Sequence, residues 1–295
     1  MTFSDCLLSA AASLRSNKLR TALTTLGIII GVAAVIAMVG VGKGAEQRID
    51  EAIQGLGENV LFVRNGTSVS GGVRGGSNSK VSLTKADAAA IERQASAIAI
   101  AAPTVRTTGQ VVSGNSNWFT TIFGVGDAYL RARDWTIGEG RTFNPQEERA
   151  AAKVAIIGET IVEQLLPGQN PIGNIIRIER IPFRVIGVTR PKGESSWGRD
   201  HDDVVFVPIS TAKSRMNVGE RFRGRFVRDI TVKARSADLL DAAEQQIIEL
   251  LRQRHRIRPG QPDDFYVRNI AQYLEARAKS ERTMSMLLAA VAGIS

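Results

Sequence analysis

Cysteine, histidine and aromatic side chains are scarce in this chain. Of its 295 residues, one is cysteine and two are histidine, and aromatic residues make up 5%. The cysteine, Cys6, lies close to the start, so the rest of the chain has no thiol with which to form a disulfide. We therefore expect the fold to depend on an ordinary hydrophobic core.

Patterns of catalytic residues are also missing. His201 and His255 are not part of a Ser/His/Asp or Cys/His arrangement, and His255 lies in a basic helix end, where we expect it to act as a cap. The glycine–lysine pair at Gly42-Lys43 lacks the earlier glycine and the following Ser/Thr of a phosphate-binding loop. We predict no catalytic residue, no bound cofactor and no metal site in the chain itself.

Acidic residues are fewer than basic ones, and the formal net charge is +9. The basic residues are scattered, and no helix-turn-helix, zinc-finger or RNA-recognition motif accompanies them. We therefore expect no nucleic-acid partner. Positive charge of this kind is suited to anionic lipid, acidic substrates or an acidic partner surface.

Charged side chains are absent from Thr21 to Gly42. At ~1.5 Å rise per residue this stretch makes a helix of about 33 Å, enough to cross a hydrocarbon core of about 30 Å. A buried core helix is one alternative and a cleaved signal peptide is another, but a signal peptide has a shorter apolar core, of ~7–15 residues. Arg15, Lys18 and Arg20 precede the stretch, which predicts a cytoplasmic N-terminus and an extracytoplasmic location after Lys43.

Small residues recur along this predicted membrane helix and just beyond it. Gly27 and Gly31 are four positions apart, and Gly40 and Gly44 repeat the spacing. Such spacing lets a second helix approach closely in a membrane, so we predict a helix-packing face at these four glycines. A second apolar run, residues 284–295, is too short to span a bilayer, and we interpret it as the truncated start of a second membrane helix.

The pattern between the two apolar runs predicts an α+β extracytoplasmic domain. Residues 59–106 and 228–268 share a strand–helix–strand outline, and the block between them is rich in predicted strands. We interpret this as a discontinuous, porter-like domain with a β-rich domain inserted into it. The predicted segments are a cytoplasmic amphipathic helix (1–20), the membrane helix (21–42), a stalk and first domain part (43–126), the insertion (127–226), a second domain part and stalk (227–283), and the truncated helix (284–295).

Two stalks are predicted to connect the outer domain to the membrane. Their apolar stripes are candidates for stalk coupling, and because both stalks belong to one domain we expect them to lie side by side. The stripe residues are Ile49, Ile53 and Leu56 in the first stalk and Ile270, Leu274 and Ala278 in the second.

The densest polar cluster in the chain precedes a predicted strand at Val204–Pro208. Its carboxylates could in principle hold a divalent cation, but consecutive ligands rarely converge on one ion. We therefore interpret it as a candidate interaction loop. Its residues are Trp197, Arg199, Asp200, His201, Asp202 and Asp203.

Several stretches together resemble MacB-type ABC transporter permeases, also called the FtsX-like permease group. The first, Asn17 to Gly44, resembles the first span of that family, and the others resemble its outer core domain. These others are Asp134-Trp-Thr-Ile-Gly-Glu-Gly-Arg-Thr-Phe143, Val154-Ala-Ile-Ile-Gly158 with Asn170-Pro-Ile-Gly173, and Phe183-Arg-Val-Ile-Gly-Val188 with Asp202-Asp-Val-Val-Phe-Val-Pro208.

The resemblance implies a permease subunit of an efflux system in the cytoplasmic membrane. It implies a homodimer or paired permease, a cytosolic ABC ATPase that binds ATP and Mg²⁺, and, in Gram-negative relatives, a membrane-fusion adaptor and an outer-membrane channel. ATP-driven closure of the membrane helices would then move the outer domain. The sequence is also compatible with two other functions: a ligand-sensing membrane protein, and a membrane-anchored scaffold that regulates a cell-wall hydrolase.

Overall fold

The computed structural model describes residues 18–66, 69–70, 73–74, 81–194 and 200–270, and beyond them residues 272, 276, 279, 280, 283, 284, 286 and 287. Most of the predicted amphipathic helix and most of the predicted second membrane helix therefore lie outside the described residues. The chain divides into two compact units, one of residues 1–50 with 274–295 and one of residues 51–273.

The helices and strands are numbered here in chain order. They are α1 (Lys18–Leu56), β1 (Val60–Asn65), β2 (Val69–Ser70), β3 (Val73–Arg74), α2 (Lys85–Gln94), β4 (Ile98–Ser113), β5 (Ser116–Val125), α3 (Asp127–Ala132), β6 (Ile137–Gly140), α4 (Pro145–Arg149), β7 (Val154–Ile157), α5 (Glu159–Leu165), β8 (Ile175–Ile178), β9 (Ile181–Thr189), β10 (Val204–Pro208), α6 (Ile209–Arg215), β11 (Asp229–Ala234), α7 (Leu240–Arg254) and β12 (Phe265–Asn269). Short 3₁₀ turns occur at Glu220–Phe222 and Ala237–Leu239.

Helix α1 begins with the apolar stretch and continues without a break to Leu56. Its portion Lys18–Gly44 is, within the described residues, the one helix long and apolar enough to cross a membrane. Large apolar side chains on it are exposed, with Ile28 and Ile36 both at 67%. A helix that is apolar all round and buries none of this surface matches the prediction of a membrane helix.

The first sheet of the larger unit has the strand order β12-β1-β11-β4, and every pair in it is antiparallel. Helices α2 and α7 connect β1 to β4 and β11 to β12. This β-α-β-β-α-β arrangement is the ferredoxin-like one, made here from two chain segments far apart in sequence. We call it the split sheet. It confirms the predicted discontinuous α+β domain, because both strand–helix–strand segments contribute to one sheet.

Alternation along the strands explains why the split sheet forms. Leu61 and Val63 of β1 and Ile230 and Val232 of β11 are fully buried and belong to one core. Residues two apart on a strand face the same side, so these side chains meet the apolar faces of the two helices. Those helix residues include Ala88 and Ile91 of α2 and Ala243, Ile247 and Leu251 of α7.

Strand β4 extends beyond the split sheet and becomes part of a second, closed sheet. Residues 98–104 of β4 pair with β11, whereas residues 105–113 pair with β5. From β5 the pairing continues through β10, β7, β9 and β8 and returns to β4. Strand β5, which the sequence assigned to the first domain part (43–126), thus pairs with β10 of the predicted insertion. The boundaries of the insertion stay a prediction.

Strand β10 lies between two hydrophobic clusters. Val205 and Val207 point into the core of the closed sheet, while Val204 and Phe206 pack on its outer side with Tyr129 and Leu130 of α3. A strand buried on both faces has a continuous run of apolar residues, as this one does.

Helix α3 was not predicted, because the sequence pattern around 127–143 is irregular. It packs in the same cluster as Ala102 of β4. It therefore packs against both sheets.

Candidate functional site

The end of helix α1 is joined to the larger unit by a set of polar and backbone contacts. Gly57 follows the helix with φ +90°, and a Cβ there would lie 3.1–3.3 Å from backbone atoms of Ala132 and Arg133. The next residue, Glu58, donates its backbone N–H to Asp134 Oδ2 at 3.1 Å. Because only glycine combines this backbone conformation with so close an approach, the turn fixes where helix α1 meets residues 132–134.

Asp134 is the centre of these contacts. Its backbone lies in the left-handed region, with φ +50°, and its other carboxylate oxygen forms an ion pair with Lys233 of β11. An aspartate in this conformation is uncommon and is held here by contacts on both sides. One carboxylate therefore binds the exit of helix α1 and a central strand of the split sheet at the same time.

Arg133 and Lys192 extend the contacts toward the closed sheet. The Arg133 guanidinium lies over the rings of Phe62 and Tyr129, at 5.5 and 5.9 Å from their centroids. Lys192 Nζ donates to the Arg133 carbonyl at 2.7 Å and lies 4.7 Å from the Trp135 ring centroid. Burial, followed by repulsion from Arg133, lowers the pKa of Lys192 to about 8, while Asp134 and Asp202 act in the opposite direction.

We call this set the exit joint: Gly57, Glu58, Arg133, Asp134, Lys192 and Lys233. All six lie within the unit of residues 51–273. The sequence pattern did not bring them together, because the six residues come from four segments that are distant in the chain. The one available signal was the Asp134-Trp135 pair, which belongs to a stretch quoted for the family resemblance but carries no recognisable chemistry of its own.

The predicted interaction loop contacts the exit joint through Asp202. This aspartate is 5% exposed, and its carboxylate accepts the backbone N–H groups of Lys192 and Gly193 at 2.8–3.0 Å. A Cβ at Gly158 would overlap the Asp202 backbone, so the loop lies directly against the start of α5. Asp202 thereby holds the segment that carries Lys192.

The other two aspartates of the loop, Asp200 and Asp203, accept hydrogen bonds from nearby groups of the protein. Asp200 accepts the Thr160 hydroxyl and the backbone N–H of Asp202, and Asp203 accepts the indole N–H of Trp118 at 2.9 Å. The backbone N–H of His201 donates to the Gly193 carbonyl at 3.2 Å. In the described part of the chain no group of three potential ligands could hold a metal ion. Trp197 and Arg199 lie outside the described residues, and an interaction role for the loop stays a prediction.

The predicted helix-packing and stalk residues are placed only in part. No described atom outside the backbone of α1 lies within 4 Å of a Cβ built at Gly27, Gly31, Gly40 or Gly44. Ile49, Ile53 and Leu56 lie in helix α1, and Ile270 begins the helical segment after β12. Leu274 and Ala278 lie outside the described residues. Both sets stay predictions.

The chain enters and leaves the split sheet at neighbouring strand ends. Leu61, near the start of β1, pairs with Asn269, the last residue of β12. A movement of the exit of helix α1 and a movement of the segment after β12 therefore act on the same end of the sheet.

A second polar cluster surrounds His255, the C-cap residue of α7. Its Nδ1 lies 2.7 Å from Asp264 Oδ1 and its Nε2 3.4 Å from Asp87 Oδ2, and Arg254 donates to Asp87 Oδ1 at 2.8 Å. Hydrogen bonds to Asp264 and Asp87 raise the pKa of His255 to about 9. Hydrogen bonds from His255, Thr84 and Arg254 outweigh burial and hold the pKa of Asp87 well below its usual range.

Comparison with known proteins agrees with this architecture. Residues 21–250 match the family model of the MacB-like periplasmic core domain. The chain is 38% identical to the macrolide export ATP-binding/permease protein MacB of Syntrophobacter fumaroxidans and 41% identical to that of Chlorobium luteolum. These alignments cover 99% and 96% of this chain but 48% and 42% of the relatives, so the chain spans about half of their length or less.

Solved structures show the same fold. The periplasmic region of MacB from Actinobacillus actinomycetemcomitans superimposes with a TM-score of 0.61 at 25% identity, covering 78% of this chain and 97% of that one. The extracellular domain of the ABC-type transporter YknZ from Gram-positive bacteria gives 0.55 at 18% identity, covering 72% and 100%, which is a likeness of fold. The family match covers most of the apolar helix and every strand of both sheets except β12, and the chain belongs to the MacB-like periplasmic core domain family of ABC transporter permeases.

Proposed function

We propose that this chain is part of the permease of an ABC-type exporter that expels macrolides. The observation that supports this most strongly is the family match from residue 21 to 250, which joins the apolar half of helix α1 to the outer domain. The relatives named above are macrolide export proteins, and neither they nor the family description points to a sensor or a hydrolase scaffold. The proposed location is the cytoplasmic membrane, with several spans and a large periplasmic domain.

In this proposal the energy comes from a cytosolic ABC ATPase that binds ATP and Mg²⁺. The permease would act as a homodimer or as a pair, and it would pass substrate to a membrane-fusion adaptor and an outer-membrane channel. The chain's own residues would contribute no chemistry to ATP hydrolysis. Their task would be to convert a movement of the membrane helices into a movement of the outer domain.

The exit joint is suited to that conversion. Helix α1 is continuous over 39 residues, so a tilt of its apolar half reaches Leu56 without a flexible break. Beyond Leu56 the close packing at Gly57 and the Glu58–Asp134 hydrogen bond carry the displacement to residues 132–134. From there Lys233 leads to the split sheet and Lys192 leads to the loop beside the closed sheet. A contiguous set of packed and hydrogen-bonded groups can carry coupling of this kind.

Substitution of the joint tests the proposal. In the complete transporter, Asp134→Ala and Lys192→Ala should each reduce macrolide resistance by about tenfold, since coupling networks of this size contribute roughly 0.5–2 kcal/mol. The matched control is Lys153→Ala, which removes an exposed lysine outside the joint. Membrane level and ATP hydrolysis are measured in parallel. Unchanged resistance in both joint variants at normal protein level would contradict the proposed coupling.

Crosslinking tests the movement itself. In a background without Cys6, cysteines at Ile53 and Leu274 should crosslink to a degree that differs between the ATP-bound and nucleotide-free transporter. Cysteines at Arg64 and Tyr266 serve as the control, because these residues are paired on β1 and β12 and should crosslink equally in both states. Identical crosslinking of the stalk pair with and without ATP would mean that the stalks do not move against each other.

A further inference from the structure

The segment from the last turn of α6 to the start of β11 carries a high density of positive charge. Residues 213–228 contain six cationic side chains and one carboxylate, Glu220. Four of the arginines, which we call the arginine surface, are exposed: Arg215, Arg221, Arg223 and Arg225. None of the four has an ion pair with another described residue, whereas Arg141, Arg252 and Arg254 each have a carboxylate partner.

The backbone under the arginine surface is firmly held. Met216 and Val218 alternate with the exposed residues and are 2% and 5% exposed, and Val227 is fully buried. The Val227 N–H donates to the Leu83 carbonyl at 2.9 Å, and Lys213 Nζ donates to the Phe226 carbonyl at 2.6 Å. The arginines therefore project from a fixed platform, and a partner would lose little entropy in ordering it.

The local electrostatic field supports the same interpretation. Burial, followed by repulsion from Lys85, lowers the pKa of Lys213 to about 8. The excess of positive charge on this segment comes from its composition, six cationic side chains against one carboxylate. Arginine is also the cation most enriched in protein interfaces, because its planar group binds carboxylates through two hydrogen bonds.

We propose that the arginine surface is a docking site for an acidic surface of another protein. The segment leads directly into Asp229, which pairs with Arg64 near the end of β1. It therefore lies about 14 Å along β1 from the end that joins helix α1, at ~3.4 Å per residue, which favours a protein over a lipid headgroup layer. A second copy of the chain would bring the same positive surface against itself across a two-fold axis, and like charges in contact are repulsive.

Binding to a defined acidic probe tests this surface. The full chain in phosphatidylcholine nanodiscs is titrated with a fluorescent polyglutamate peptide, and the triple variant R215E/R221E/R223E should bind it at least about tenfold more weakly. The matched control R93E/R177E/R184E makes the same change in net charge at exposed arginines elsewhere and should lose less than about twofold. Equal loss in both variants, no binding by the unsubstituted chain, or tighter binding to phosphatidylglycerol vesicles than to the peptide would overturn the proposal.

The partner is then identified in the native membrane. A photo-crosslinking amino acid at Glu220 should form a covalent adduct with a different protein, and R215E/R221E/R223E should abolish the adduct. Lysines in place of the crosslinked acidic residues of that protein should restore it. Adducts with lipid or with a second copy alone, or failure of the charge exchange, would overturn the proposal. Because the readouts are binding and crosslinking, the outcome is independent of whether the chain exports macrolides.

Discussion

Two runs of basic residues look alike in the sequence and differ completely in the folded protein. One, from Arg252 to Arg258, ends helix α7, and the other is the arginine surface. In the first, Arg252 pairs with Asp263, Arg254 with Asp87 and His255 with Asp264. In the second, no arginine of the surface pairs with a described carboxylate. The first run therefore stabilises the fold, and we expect the second to be available for recognition.

The difference arises from what each run meets in three dimensions. Asp87 is the N3 residue of helix α2 and already caps it by accepting the backbone N–H of Thr84 at 2.9 Å. The end of α7 approaches that capping box, so one carboxylate satisfies a helix start, Arg254 and His255 together. The start of α2 also lies beside the arginine surface, where the backbone N–H of Lys85 donates to the Arg225 carbonyl at 3.4 Å, but none of the four arginines forms an ion pair there with a described carboxylate. Pairing, and not the number of charges, separates a structural cluster from an interaction surface.

The largest effect should come from removing the shared carboxylate. Asp87→Ala leaves Arg254 and His255 without this partner in a partly buried site and also removes the cap of α2. We expect the free energy of unfolding to fall by about 3 kcal/mol, because breaking a buried ion pair from one side leaves an uncompensated charge. Urea unfolding of the full chain in detergent, followed by near-ultraviolet circular dichroism, measures it. A loss below about 1 kcal/mol would mean that the cluster contributes little.

The next effect is a dependence of stability on pH. The folded pKa of His255, about 9, exceeds its unfolded value of about 6.5, so the protonated form is favoured by folding. Its contribution is fully present below pH ~6.5, declines as the pH rises toward 9 and is lost above that, and it amounts to about 3 kcal/mol at most. Unfolding measured across this window should show the decline, and His255→Gln should flatten it. A stability that rises from pH 6.5 to 9 would contradict the assignment.

A smaller effect is expected for the outer pair of the same run. The side chains of Arg252 and Asp263 are both 30% exposed, so water screens their attraction. Arg252→Ala should lower the free energy of unfolding by about 1 kcal/mol, part of it through lost hydrogen bonds to the Arg258 and Gln261 carbonyls. The same unfolding assay in added salt should reduce the difference between the variant and the unsubstituted chain. If the difference in unfolding free energy did not fall in added salt, the contribution of Arg252 would come from packing and not from charge.

The smallest effect should come from the arginine surface. Arg221→Ala and Arg223→Ala should each change the free energy of unfolding by less than about 0.5 kcal/mol, since neither side chain contacts a carboxylate among the described residues. Arg254→Ala, measured in the same assay, should lower the free energy of unfolding by clearly more than either surface variant. A loss above about 1 kcal/mol in either surface variant would reveal a structural role and weaken the docking proposal.

Local sequence patterns predicted most of the split sheet and several strands of the closed sheet. The helix at Thr84 was recognisable because Thr84 and Asp87 form a capping box, and strand β10 because five apolar residues follow one another. The pattern around 127–143 did not reveal α3, because that helix has six residues and depends on packing against both sheets. Strands β8 and β9 form a hairpin whose turn is Glu179-Arg180, with positive φ at both residues.

The candidate site was far less predictable than the fold. The acids at 200–203 stood out in the sequence as a polar cluster, but each binds donors supplied by other segments. Lys192 and Lys233 did not stand out, and Asp134 did so only as part of a stretch that resembles the family. Asp134 and Lys233 are 99 residues apart in the chain and meet only in the folded protein. Sequence periodicity indicates which residues share a face of one helix or strand. It does not indicate which distant segments come into contact.

The sequence by itself determined that a charge-free apolar helix precedes an α+β domain whose two halves are distant in the chain. These properties follow from composition and periodicity, which act locally. Only the tertiary structure decided that β4 belongs to two sheets and that Asp134 joins the exit of helix α1 to β11. It also decided that Arg252, Arg254 and His255 meet carboxylates, whereas the arginine surface forms no ion pair among the described residues. The physical reason is that pairing energies depend on distances of a few ångströms between groups that the chain brings together only when it folds.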